Sequence, residues 1–353
     1  MTLQVEQLQS GRSGFSLGPV TMTVESGTCL ALMGANGAGK TTFLEALVGF
    51  VKCTSGSVSL DGRDITHEVP ERRRIAYVPQ DLALFPHLDV TQNIAFAVKR
   101  KERRHAAGRS DELIREFGLE SVSKHYPHQL SSGQAQRVAF ARALAMEPAV
   151  LLLDEPTANL DLAGQRSIHA SLRRSLLERG LVVIYVTHDI LDGMALTGQL
   201  AILERGRVIQ SGRPDAVFHR PADARVATHL GITNLWPAQI TDETPAMVRV
   251  RIGSHGFVCH ARRPASNTPV LLGIGPGEVE LYSTPPADLS NTLRVVVQTL
   301  QINGQTALLE LADGPPGLRA AVPPAQAENF VLGQALWARL PADRLRLIPA
   351  KAQ

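Results

Sequence analysis

A short apolar run, Thr28 to Met33, ends in Gly34-Ala35-Asn36-Gly37-Ala38-Gly39-Lys40-Thr41-Thr42 and passes into a stretch of helical character, Lys40 to Val48. Strand, glycine-rich turn, helix is the order a phosphate-binding loop requires, and it commits the chain to an α/β sheet with its ligand at the strand ends. The glycines let successive backbone N–H groups turn toward an anion, and the helix start adds its positive dipole end. Gly34, Asn36, Gly37, Ala38 and Gly39 form the cradle, Lys40 meets the β- and γ-phosphates, and Thr41 and Thr42 open the helix with the Thr41 hydroxyl placed for Mg2+.

Two further apolar runs, Val150 to Leu153 and Leu181 to Val186, flank a helix-like stretch, Leu162 to Glu178. Apolar strands alternating with helices imply a parallel sheet covered on both faces. The first run ends in Asp154-Glu155. Asp154 suits a Mg2+ shell and Glu155 suits polarising an attacking water, although an Asp-Glu pair at a strand end can also serve as a helix cap. Beside the phosphate loop, the chemical reading is the better one.

Between Gln80 and Met146 the pattern is mostly helical, broken at Gly118 and Pro127, so a helical subdomain is expected over about 81–146. After Gly231 short β-rich pieces (Met247 to Ile252, Leu293 to Leu300, Ala307 to Leu311, Ala335 to Leu340) alternate with turns such as Ser266-Asn267-Thr268-Pro269 and Gly314-Pro315-Pro316-Gly317. The expected organisation is an α/β domain over 1–230 and a small all-β domain over 231–353.

The 44% hydrophobic and 20% charged content is that of an ordinary folded protein, and the formal charge of +3 is small. The clusters Arg72-Arg73-Arg74 and Lys99 to Arg104 are short and read as solvated surface, so nucleic acid is not an expected partner. No window approaches 18 consecutive apolar residues, and the three cysteines (Cys29, Cys53, Cys259) lack metal or redox spacing.

Leu130-Ser131-Ser132-Gly133-Gln134, followed by Ala135-Gln136-Arg137, decides among phosphate-loop families. Here the chain resembles the ABC transporter ATPases, whose signature is Leu-Ser-Gly-Gly-Gln before a helix. The resemblance extends to Gln80 in Tyr77-Val78-Pro79-Gln80, the carboxylate pair, Asn159-Leu160-Asp161 and Thr187-His188-Asp189, in the family's order across the first 230 or so residues.

The resemblance implies an α/β phosphate-loop NTPase of ABC type that binds ATP and Mg2+ and works as a homodimer, each nucleotide lying between one copy's phosphate loop and the other's signature. Ser131, Gly133 and Gln134 would then contact the partner's nucleotide, with Asp161 nearby. His188 would hold the water and Glu155 in line, and Gln80 would contact Mg2+ or water. Phe15 is the nearest aromatic residue upstream of the phosphate loop for stacking on adenine; its plainer reading is a core residue. Ser132 stands where the family usually has glycine. If that position needs positive φ, serine costs about 1–2 kcal/mol.

Asp81 to Ile94 is similar to the segment of import-type cassettes that receives a permease's cytoplasmic helix. The C-terminal part resembles the oligomer-binding-like (OB-like) regulatory domains of bacterial importers, at Gly231-Ile232-Thr233-Asn234-Leu235 and Gly273-Ile274-Gly275-Pro276-Gly277-Glu278, with Gly275 where an Arg is common. Phe15 to Gly27 and Tyr77 to Phe96 look most like molybdate or tungstate importers; ferric iron, sulfate and polyamine stay open. The resemblance further implies a peripheral subunit on the cytoplasmic face of the inner membrane, joined to integral membrane permease subunits and indirectly to a solute-binding protein. A soluble ATPase acting on a non-membrane partner is the second reading. A small-metabolite kinase is the third, and it leaves Ser131 to Gln134 and His188 unused.

Overall fold

This computed structural model describes every residue except 13, 99–102, 159, 189–197, 246, 261–268, 305 and 351–353. Asn159, Asp189, most of the expected turn at 266–269 and residues 99–102 of the second basic cluster therefore lie outside the described residues. The chain divides into two compact units, Met1–Pro214 and Asp215–Gln353.

The first unit contains strands β1 (Thr2–Arg12), β2 (Phe15–Glu25), β3 (Cys29–Met33), β4 (Cys53–Leu60), β5 (Arg63–Asp64), β6 (Ile75–Val78), β7 (Val150–Asp154), β8 (Val182–Val186), β9 (Gln199–Glu204) and β10 (Arg207–Gly212). Its helices are α1 (Lys40–Val48), α2 (Val90–Phe96), α3 (Arg103–Glu116), α4 (Ser132–Leu144) and α5 (Leu162–Arg179). A six-stranded sheet runs β10-β9-β3-β8-β7-β6, parallel except for the β9–β10 hairpin.

Every residue of β3, β7 and β8 is buried, as both-face coverage demands. Alternate side chains enter two cores. Leu30, Leu32, Leu152 and Ile184 meet Phe43, Leu44 and Leu47 of α1 on one face. Cys29, Leu151, Leu153, Val183 and Tyr185 meet Phe140 and Leu144 of α4 and Leu172 and Leu176 of α5 on the other.

A second sheet, β2-β1-β4-β5, covers the α1 face and was not legible in the sequence. Strand β1 breaks the two-residue alternation: register shifts flank Leu8, Gln7 has φ 46°, and the buried residues are Leu3, Val5, Leu8 and Ser10, with a three-residue step between Val5 and Leu8.

The segment between β6 and β7 is helical, as expected. Asp89 caps α2 through a reciprocal bond pair with Gln92. Buried Asn93 accepts from Phe85 N at 2.9 Å and donates to Leu88 O at 2.9 Å, fixing the preceding loop. Phe85 and the exposed Phe96 pack at 4.5 Å, with the Arg142 guanidinium 5.4 Å from the Phe85 ring.

The Arg72-Arg73-Arg74 cluster is not simply solvated surface. Arg73 is buried, donating to Ala46 O (3.0 Å), Leu47 O (2.8 Å), Thr66 O (2.7 Å) and Glu68 O (2.9 Å). It satisfies carbonyls in the last turn of α1 that helix geometry leaves without partners. Charge alone gave no hint of this.

The second unit is all-β apart from short helices. Its strands are β11 (Asn234–Glu243), β12 (Val248–Ile252), β13 (His255–Cys259), β14 (Val270–Ile274), β15 (Glu280–Tyr282), β16 (Thr292–Asn303), β17 (Thr306–Ala312), β18 (Leu318–Val322), β19 (Ala335–Arg339) and β20 (Arg346–Pro349). They form two antiparallel five-stranded sheets, β13-β12-β11-β14-β20 and β15-β19-β16-β17-β18, around one core that includes Trp236, Phe257, Leu309 and Leu336.

This unit begins earlier in the chain than residue 231, where composition changes. Residues from Asp215 belong with it because buried Arg346 of β20 donates to Phe218 O at 3.2 Å and lies 4.4 Å from the Phe218 ring. Arg346 also makes a two-pronged bond to Glu278 at 2.7 and 2.8 Å, while Glu278 accepts from Gly275 N at 2.9 Å. A Cβ at Gly275 would lie 3.1 Å from that carboxylate, so glycine keeps room for the pairing.

Candidate active site

The phosphate loop leaves the end of β3 and enters α1 through Gly39, whose φ of 103° lies in the left-handed region. Glycine is required at the loop's first position for a different reason. A Cβ on Gly34 would stand 2.3 Å from Leu203 O of β9. The loop is thus pressed against the end of β9, and a cavity of about 490 Å³ opens above it. Phe15, Asn36, Gly37, Gly39, Lys40, Thr41, Thr42, Gln80, Asp154 and Glu155 line this cavity.

Lys40 is buried and donates to Gly34 O at 2.9 Å and Ala35 O at 3.2 Å, with Glu155 Oε1 at 4.0 Å. An ammonium has three donors, so one remains for an anion in the loop. Thr41 Oγ1 donates to Asp154 Oδ2 at 2.7 Å. Burial is the main influence on the Asp154 carboxyl and pushes its pKa above the usual carboxylate range, against the Thr41 and Tyr77 hydrogen bonds.

The parallel register sets Asp154 of β7 opposite Val186 of β8, so Glu155 and His188 emerge side by side. Glu155 N donates to Val186 O at 3.1 Å and its φ is 47°. A left-handed non-glycine residue costs on the order of 1–3 kcal/mol, a strain typical of positions where side-chain direction matters. His188 Nδ1 lies 3.4 Å from Glu155 Oε2, and His188 is exposed.

Phe15 lines the cavity and packs partly against the core; its ring lies so close to Gly39 that a Cβ there would be 2.6 Å from Cζ. Ser131, Gly133, Gln134 and Asp161 are not brought to this cavity. Ser131 caps α4: its hydroxyl accepts from Gln134 N at 3.3 Å, and Gln134 Oε1 accepts from Ser131 N at 2.9 Å. Asp161 caps α5 by accepting from Gly164 N at 2.7 Å. Ser132 begins the helix without positive φ, so the strain considered for serine there does not arise.

Tyr77 is a site residue that the sequence did not reveal. Its hydroxyl donates to Asp154 Oδ2 at 3.3 Å. Burial, and then the Asp154 charge, hold its pKa well above the usual phenol range, which keeps it a donor. The only sequence signal was a tyrosine in an otherwise aliphatic strand.

The family model described as "ABC transporter" matches residues 17–158. A molybdate/tungstate import ATP-binding protein of Thermococcus kodakarensis is 37% identical over 91% of this chain and 94% of its own. The chain belongs to the ABC transporter family. Other relatives within it include a putative 2-aminoethylphosphonate import ATP-binding protein of Salmonella paratyphi A, 37% identical over 82% of this chain and 79% of its own. An Fe(3+) ions import ATP-binding protein of Agrobacterium fabrum is 34% identical over 74% of both. A solved dimeric structure of the bacterial ABC transporter cassette MJ0796 superposes with a TM-score of 0.54 at 30% identity, covering 60% of this chain and 98% of that one. The same cassette has been solved in a post-hydrolysis state with ADP and Pi, TM-score 0.53. As an ABC cassette the chain is an ATPase, and the cavity above the phosphate loop is where its fold presents an anion cradle and a carboxylate pair together, with His188 beside Glu155.

Proposed function

We propose that this cassette is the ATP-hydrolysing subunit of an importer for an inorganic oxyanion such as molybdate or tungstate, acting as a homodimer on separate membrane permease subunits. The observation that carries the reading is the convergence of Lys40, Thr41, Asp154 and Glu155 on one cavity, with His188 against Glu155. Phosphoryl transfer asks little covalent chemistry of a protein; positioning and charge neutralisation carry it. Backbone N–H groups of the loop and the third donor of Lys40 hold the β- and γ-phosphates. Glu155 accepts a hydrogen bond from the attacking water, and His188 Nδ1, 3.4 Å away, fixes the carboxylate's direction.

The donors present fit Mg2+. Thr41 and Asp154 are adjacent hard oxygen ligands, Gln80 adds an amide oxygen at the cavity wall, and a cation of this kind keeps waters and substrate phosphates in its shell. When bound it neutralises charge developing on the β- and γ-oxygens.

Ser131, Gly133 and Gln134 serve the partner copy's nucleotide. Gly133 supports this: its nearest neighbour to a built Cβ is Leu160 Cδ2 at 3.8 Å and its φ is not positive, so the chain itself does not require glycine there. The exposed Phe96 with Phe85 and Arg142 marks the surface for a permease helix. Among the described residues no helix is long and apolar enough to cross a membrane. The solute assignment draws on the molybdate/tungstate relative, whose similarity spans the second unit as well as the first. Hydrolysis by the reconstituted transporter tests it, with binding protein loaded in turn with molybdate, tungstate, 2-aminoethylphosphonate, Fe3+ or spermidine. Stimulation by molybdate or tungstate is expected; stimulation by another solute alone reassigns the cargo. A cassette that copurifies with no integral membrane protein contradicts the importer reading.

A further inference from the structure

Asp154 Oδ2 accepts two hydroxyls, Thr41 Oγ1 at 2.7 Å from the start of α1 and Tyr77 OH at 3.3 Å from the neighbouring strand β6. A carboxylate oxygen has two lone-pair sites, so Oδ2 is fully occupied. Asp154 is 5% exposed, and the Tyr77 ring packs against the core and makes an edge contact with Phe50, centroids 6.2 Å apart and planes at 72°. The hydroxyl that reaches the carboxylate is therefore carried on a braced ring at the sheet's β6 edge, not on a mobile chain.

We propose that Tyr77 is a positioning residue for the divalent-cation site: with Thr41 it saturates Asp154 Oδ2, locks the carboxylate plane and leaves Oδ1 for the metal's shell. This rests on the reading of Thr41 and Asp154 as the metal-holding pair. The Thr41 hydroxyl keeps its lone pairs for the cation while its O–H points at Oδ2, and the Tyr77 hydroxyl, donating to the same oxygen from β6, adds the second anchor that keeps the carboxylate from turning. Groups that orient metal ligands in this manner typically change metal affinity by 10- to 100-fold when removed.

The test is a titration of Mg2+ into the full chain with a fluorescent ATP analogue, alongside binding of the same analogue in EDTA. Tyr77→Phe keeps the ring on Phe50 and removes only the hydroxyl. It should raise the half-saturating Mg2+ concentration about tenfold, while analogue affinity in EDTA stays within about twofold. An unchanged Mg2+ midpoint, or equal weakening with and without Mg2+, overturns the proposal. A Tyr77→Phe chain that does not fold overturns it too, since the hydroxyl would then be a structural requirement. Asp154→Asn separates the two readings. If it shifts the Mg2+ midpoint and Tyr77→Phe does not, the Tyr77 assignment alone fails; if neither shifts it, the metal-holding pair is wrong.

Discussion

Replacing Gly34 by alanine is the smallest change that should disable the phosphate loop, and its size is set by one contact. The added Cβ would stand 2.3 Å from Leu203 O and 3.2 Å from Ala38 Cβ. Carbon and carbonyl oxygen ordinarily approach to about 3.3 Å, so the loop must retreat by about 1 Å. Leu203 cannot yield instead, because it is fully buried in β9, whose Ile202 is paired with Met33 of β3. A displacement of about 1 Å at a reacting centre costs on the order of 100-fold in rate. Gly37 is the internal comparison: its φ is 77° but nothing lies within 4 Å of a built Cβ. Gly37→Ala therefore meets no protein atom, and within the protein carries the left-handed backbone cost, about 1–2 kcal/mol, or roughly tenfold. Steady-state phosphate release, with circular dichroism to confirm folding, should rank Gly34→Ala far below Gly37→Ala. A Gly34→Ala rate within about threefold of wild type, or the reverse ranking, would refute the packing argument.

Glu155→Gln should still bind ATP and hydrolyse it at least about 100-fold more slowly; unimpaired turnover in a phosphate-release assay would remove Glu155 from its role. Arg73→Met should lower unfolding free energy by about 3 kcal/mol or more in urea denaturation, because four backbone carbonyls in and around the end of α1 lose their donor. Asp154→Asn should melt above wild type near neutral pH, when nucleotide and metal are absent. The folded pKa of Asp154 is raised, chiefly by burial, so the charged form costs stability above that pKa and the cost vanishes once pH falls below the unfolded value. Melting temperatures that diverge further in acid would contradict the sign.

The strand, turn and helix around Lys40 were legible because their signal is local: a fully apolar β3, glycines at φ-demanding positions and a helix that starts where its dipole is needed. The same holds for β7, β8 and α5. Strand β1 was invisible because its bulge at Gln7 breaks the alternation by which strands are read. Arg73 looked like surface charge because its four acceptors lie in Ala46, Leu47, Thr66 and Glu68, and no composition rule connects them. Tyr77 went unread for a similar reason: its partner is 77 positions away and meets it only through the pairing of β6 with β7. Ser131 and Gln134 were legible through the signature they share with the family, whereas the capping box they form at the start of α4 went unread although its three-residue spacing is local. Which unit owns residues 215–230 was not, since Arg346 reaches Phe218 across 128 positions.

The dependence of hydrolysis on the cassette's own concentration tests the central claim most directly. On the proposed reading two copies complete one site, because Ser131, Gly133 and Gln134 lie away from the cavity that Lys40 and Glu155 line and serve the partner's nucleotide instead. Phosphate release per molecule should climb as the purified chain is concentrated and level off once dimers dominate. A rate per molecule that stays flat down to concentrations where sedimentation finds only monomer would contradict the account.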